Sequence, residues 1–167
     1  VNLVFVRHGI AEDRKDAEHF GLADEARPLT AEGRKRMKKV AAGLRESVGK
    51  VALIATSSLL RAVQTAEILA KSFGDPPMTE TASLAPGAAP SVLLDWLREQ
   101  HSDDTIVLVG HEPDLSQWIS WALTGKDRPL LTLRKGGACM LEFDKDVTPG
   151  TATLHWVMAP KQLRSLA

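Results

Sequence analysis

A three-layer α/β/α sandwich, built on a mostly parallel sheet with an antiparallel edge strand, is the fold class this sequence predicts. Three observations predict it. Short apolar, β-branched runs alternate with longer segments whose apolar residues recur at helical spacing. One run, Thr105–Gly110 (TIVLVG), is apolar without alternation, as a strand buried on both faces requires. The end of the chain differs in texture: 138–143 and 151–157 read as two strands joined by a turn rich in Asp, Pro and Gly, which suits an antiparallel edge.

Taken in order, Asn2–Val6 is a buried strand, followed by a polar segment to about Pro28. Thr30, with Glu32 behind it, caps a helix to about Val48, whose Met37, Val40, Ala41, Leu44 and Val48 fall on one face. Val51–Thr56 is the second strand. A helix from about Ser58 carries Leu60, Val63, Ala66, Ile68 and Leu69 and ends before Gly74-Asp75-Pro76-Pro77. Met78–Leu84 holds a short strand, the loop APGAAP follows, and Ser91 caps a helix to roughly Gln100. After TIVLVG, Pro113 suits the first turn of a helix reaching about Leu123.

The chain has 167 residues, enough for one domain with a substantial core, and no linker, repeat or low-complexity tract divides it, so 1–167 is read as a single domain. Twenty-one Lys and Arg balance twenty-one Asp and Glu. No global field argues for nucleic acid or a membrane, and any important positive charge must be local. The basic run Arg34–Lys39 lies on the helix whose Met37 faces inward and reads as a solvated face. Cys139 is the sole cysteine, so neither a disulfide nor a thiolate metal site is expected, and in ACMLEF it reads as a buried thiol. The opening VNLVFV is too short for a signal-peptide core and runs directly into Arg7, and no segment approaches membrane-spanning length; the expected location is the cytoplasm.

Ligands of such sheets bind beyond the carboxyl ends of the strands. After the first strand stand Arg7-His8-Gly9. After the second comes SSLLRAVQTAE, with Arg61 about one turn into its helix, and after TIVLVG comes His111. Two arginines and two histidines can thus meet at one sheet edge. Guanidinium groups match phosphate oxygens bidentately and are permanently charged. The helix start after His111 offers backbone N–H groups to an anion. A neutral imidazole is a competent nucleophile toward phosphorus, and neighbouring cations disfavour its protonation. Gly9 lets the backbone approach a ligand. His19, His101 and His155 show no metal-ligand spacing, and no metal is expected.

Arg7-His8-Gly9, SSLLRAVQTAE and GHEPDLS, in this order, resemble the histidine phosphatase superfamily, which includes the phosphoglycerate mutases. The short connection from RHG to RPLTAEG, the GHEP block, the compact middle and the closing HWVMAP are similar to its SixA-type phosphohistidine phosphatases. The likeness covers nearly the whole chain and implies a phosphoglycerate mutase-like fold. It also implies two-step phosphoryl transfer without metal or cofactor. His8 would become phosphohistidine and water would release inorganic phosphate, while Arg7, Arg61 and His111 bind the phosphoryl oxygens. The nucleophile's second ring nitrogen would be held by a backbone carbonyl, that of Gly9. Implied partners are phosphohistidine-bearing proteins, such as histidine phosphotransfer domains or phosphocarriers.

Many relatives that cleave phosphate esters carry a glutamate before the third helix to protonate the departing alkoxide. Here TASLAPGAAP has no carboxylate from Thr81 to Pro90, and Ile10 follows RHG. Glu80, Glu12 and Asp13 remain nearby. The labile P–N bond of phosphohistidine has less need of an acid, so the absence favours a phosphohistidine substrate. A small-molecule phosphomonoesterase and a non-catalytic module that recognises phosphorylated partners stay open as alternatives. Arg27 either reaches the pocket mouth or lies in its loop. Ser57 and Ser58 are either helix-start residues or phosphate ligands, and Lys135 reads as an exposed turn lysine.

Overall fold

The computed structural model describes residues 1–100 and 104–167; His101 lies outside the described residues. Among the described residues six strands form one sheet in the order β3-β2-β4-β1-β5-β6: β1 Asn2–Arg7, β2 Leu53–Thr56, β3 Met78–Glu80, β4 Thr105–Gly110, β5 Ala138–Glu142 and β6 Thr153–Met158. β3, β2, β4 and β1 pair in parallel, while β5 pairs antiparallel with both β1 and β6. The mostly parallel sheet with antiparallel pairing at one edge is therefore the observed architecture.

Alternation along the central strands sorts side chains between two apolar layers. Leu3 and Phe5 of β1 and Ile106 and Leu108 of β4 pack with α4 (Pro90–Glu99) and α5 (Asp114–Thr124). Val4, Val6, Val107 and Val109 pack on the other face with α2 (Ala31–Val48), α3 (Leu60–Ser72) and Leu163 of α6 (Pro160–Ser165). All six residues of β4 are buried, which explains why TIVLVG shows no polar alternation. Trp118 joins the first layer with Trp96 and Trp121 packed against it, and Trp156 packs against the second. Cys139 is buried, and burial pushes its thiol up to about 12.

Several boundaries differ from the sequence expectation for identifiable reasons. The polar segment after β1 holds a short helix, α1 (Arg14–His19), because Asp13 accepts from the Lys15 and Asp16 N–H groups at its start; a single 3₁₀ turn, Asp24–Ala26, follows. α4 begins at Pro90, with Ala89 and not Ser91 in the cap position; the fixed φ of proline suits that first helical place. Pro113 precedes α5 as its cap residue and does not lie in its first turn. β2 starts at Leu53, and the 78–84 stretch divides into β3 and a 3₁₀ turn, Ala82–Leu84. α6 was not anticipated; it crosses α2 so closely that a Cβ at Gly43 would stand 1.9 Å from the Leu163 carbonyl oxygen. Among the described residues no helix is long and apolar enough to cross a membrane.

Candidate active site

Strand register builds the site. Arg7 of β1 stands opposite Gly110 of β4, so the residues that follow, His8 and His111, leave the sheet side by side. The His8 N–H extends the ladder by donating to the Gly110 carbonyl at 3.1 Å. β2 repeats the arrangement on the other flank of β4: Thr56 opposes Val109, and the Ser57 N–H donates to the Val109 carbonyl at 3.1 Å. The two imidazole rings end 5.1 Å apart between centroids, and the Ser57 hydroxyl lies 2.8 Å from His111 Nε2.

His8 is only 6% exposed. Its Nδ1 lies 2.7 Å from the Gly9 carbonyl oxygen. A carbonyl can only accept, so Nδ1 carries the proton and the lone pair of the neutral ring sits on Nε2. Burial lowers the ring's pKa to about 3 against the opposing pull of the Gly9 carbonyl, and His111, Arg61 and Arg7 add to the lowering. At neutral pH Nε2 is unprotonated, and among the described residues nothing hydrogen-bonds to it. Burial followed by the Arg61 charge lowers His111 in the same way, to about 4.

The Gly9 carbonyl is itself held in place. The Gly9 N–H donates to the Thr65 hydroxyl at 3.0 Å, and that hydroxyl donates to the Arg61 carbonyl at 2.7 Å. Thr65 stands one turn beyond Arg61, so α3 delivers the guanidinium and steadies the nucleophile's loop from one face. A side chain at Gly9 would bring a Cβ within 2.6 Å of Met37 Cγ, so the Met37 side chain, which packs here from α2, would have to shift to admit it.

Arg61 is buried and reaches Asp24 in the 3₁₀ turn: Nη1 donates to the Asp24 carbonyl at 2.9 Å and Nη2 to its carboxylate at 3.3 Å. Arg27 donates from Nε to the same carboxylate at 2.9 Å and from Nη1 to the Glu12 carbonyl at 2.6 Å. Arg14 adds a third, looser ion pair at 3.5 Å. Burial opposes ionisation of Asp24, but the Arg27 and Arg61 guanidiniums hold its carboxyl below the usual carboxylate range. Asp24 is thus an ionised anchor for two arginines and no proton donor at neutral pH.

Arg7 donates from Nη1 to the Leu133 carbonyl at 2.8 Å. The Leu133 N–H in turn donates to the Glu112 carboxylate at 3.2 Å, and Glu112 also accepts from the Ser116 N–H at 2.9 Å and from the Ser116 hydroxyl. The residue after His111 therefore supports Arg7 through one backbone unit. The Nε atoms of Arg7 and Arg61 are buried and, among the described residues, have no hydrogen-bond partner.

The structure brings His8, Arg7, Gly9, Arg61, His111 and Ser57 to one sheet edge and ties Arg27 to the group through Asp24. Ser57 is buried, with its hydroxyl engaged by His111 and the Leu59 N–H. Glu12 and Glu80 are exposed, and among the described residues no carboxylate hydrogen-bonds either site imidazole. His155 instead meets Glu142 at 2.5 Å between β5 and β6. Sequence reasoning missed Asp24, Thr65 and Glu112. The i, i+4 spacing of Thr65 from Arg61 is a signal that could have found it; the other two act through loop and backbone geometry.

Residues 3–85 match the family model of the histidine phosphatase superfamily (branch 1). The chain is 42% identical over 139 residues to an uncharacterized protein of Picosynechococcus sp., with 82% of each chain covered. Among solved structures, the fold is similar to the protein histidine phosphatase SixA complexed with tungstate (TM-score 0.81, 22% identity, 98% of this chain and 99% of that one covered). It is also similar to phosphoserine phosphatase of Entamoeba histolytica in complex with 3-phosphoglyceric acid (TM-score 0.65, 18% identity, 97% and 98% covered).

Proposed function

Since the chain belongs to the histidine phosphatase superfamily, we propose that it is a phosphatase that removes the phosphoryl group from phosphohistidine on partner proteins, with His8 as covalent nucleophile and without a metal. The observation that carries the reading is the state of His8: a buried, neutral ring whose Nδ1 proton is committed to the Gly9 carbonyl and whose Nε2 is free.

In the first step the Nε2 lone pair attacks phosphorus and the P–N bond of the substrate breaks. The departing imidazole takes its electrons and a proton from solvent. In the second step water attacks the phosphorus of phospho-His8, loses a proton and releases inorganic phosphate, restoring the neutral ring. Charge on the three equatorial oxygens is what the protein must stabilise. Arg7 and Arg61 fit that role, because each keeps a buried Nε–H without an acceptor, and an anionic phosphoryl group supplies acceptors. His111, fixed by Ser57, adds a second polar ring beside His8. Asp24 holds Arg61 in place but is too firmly ionised to protonate a leaving group.

That last point supports a phosphoramidate substrate over an ester, since an alkoxide leaves poorly without an acid. Steady-state kinetics on a phosphohistidine peptide and on p-nitrophenyl phosphate test the reading. The expected result is a much larger kcat/KM on the peptide. A larger value on the ester would favour a small-molecule phosphomonoesterase, and binding without turnover of either would make the chain a recognition module.

A further inference from the structure

Beside Arg7 an open cleft of about 510 Å³ continues away from the site. Its walls come from four separate segments: Arg7 and Ile10 at and just past the end of β1, Arg36 of α2, the loop before β5, and one face of α6 with Ala159 before it. Arg7, Arg36, Arg134, Lys135, Lys161 and Arg164 line it, Pro160 lends it an apolar surface, and among the described residues no carboxylate lines it. In a chain whose formal charge sums to zero, six cations around one cleft are a local excess.

Little of that charge is used internally. Arg36 is paired with Glu32 at 2.8 Å, but among the described residues Arg134, Lys135, Lys161 and Arg164 enter no ion pair. Partial desolvation, together with the positive fields of Arg7, Arg27 and Arg61, pulls the Lys135 ammonium below its ordinary range, so this cleft and the catalytic edge share one electrostatic field.

The kind of cation identifies the kind of ligand. A built phosphate pocket uses buried, tethered guanidiniums such as Arg61. Here Arg36, Arg134, Lys135 and Lys161 are exposed, on long stems free to follow an uneven surface. Exposed charges of this type steer encounter and select partners, and they add little to a tight small-ligand site.

We propose that this cleft docks an acidic segment, rich in Asp and Glu, that flanks the phosphohistidine on the partner protein, so that the enzyme chooses among phosphohistidine proteins by the charge around the modified residue. The proposal rests on the phosphohistidine reading above. It makes the cleft a specificity surface contiguous with Arg7.

The test uses two peptides phosphorylated on one histidine and identical except for their flanks, Asp/Glu in one and Asn/Gln in the other. At 50 mM salt the wild-type protein should favour the acidic peptide by about tenfold in kcat/KM, and the preference should shrink at 500 mM salt as screening shortens the reach of the cations. In Arg134→Glu/Lys161→Glu the ratio should fall to one or below. Equal wild-type turnover of both peptides, or a variant that keeps the preference, would overturn the proposal. So would a variant slowed alike on both peptides, because that marks a general effect on the site. No wild-type turnover of either peptide would reject the phosphohistidine reading itself, and the docking surface with it.

Discussion

Lowering the pH from 7 to 5 should destabilise this protein steeply, because His8 and His111 keep their places only as uncharged rings. Unfolded, each titrates at about 6.5; folded, they titrate at about 3 and about 4. Between these values the unfolded chain binds more protons than the folded one, so stability is full above 6.5 and is lost as the pH falls. At pH 5 each ring lies about 1.5 pH units below its unfolded pKa and remains neutral when folded. At about 1.4 kcal/mol per unit this is a loss of about 2 kcal/mol per ring and about 4 kcal/mol for the pair. The depressed carboxyl of Asp24 acts in a separate window, since its contribution is lost only as the pH falls through 3.8 and below. Urea titrations at pH 7 and pH 5, read by the fluorescence of the four tryptophans, measure the change directly. Wild-type protein should lose about 4 kcal/mol more than His8→Gln/His111→Gln over that interval, and each single variant should show about half the excess. Equal losses in wild type and double variant would refute the claim that the fold holds two neutral imidazoles.

Other substitutions probe the arginines. Arg61→Ala should cost about 2–4 kcal/mol of transition-state stabilisation, read as a fall in kcat/KM on any substrate the wild type turns over. Glu112→Ala should lower kcat/KM by about tenfold through Arg7, roughly the loss of one charge-assisted hydrogen bond. In an Arg7→Ala background the same change should add no further loss in kcat/KM; additive losses would break the proposed link through Leu133.

What could be read from the sequence follows strand ends. His8 and His111 are legible because each follows a continuous apolar run, and two parallel strands in register must deliver such residues together. Arg61 is legible because its helix starts one short loop after β2. Asp24 escapes such reasoning, since it sits in a polar stretch with no periodicity and its importance comes from three arginines that meet only in space. Glu112 lies in the quoted GHEP block, yet its role runs through the backbone of Leu133, where side-chain identity carries no signal. The short α1 and α6 lack enough turns to show an apolar stripe, which explains why neither helix was anticipated.

The claim on which the others depend is that phosphorus becomes bonded to His8 during turnover. Rapid mixing with a ³²P-labelled phosphohistidine peptide, followed by alkaline quench and peptide mapping, tests it most directly. The account predicts up to one label per chain on His8, stable in base, labile in acid and missing from His8→Ala. Turnover that leaves His8 unlabelled at every time, or an active His8→Ala protein, would contradict it.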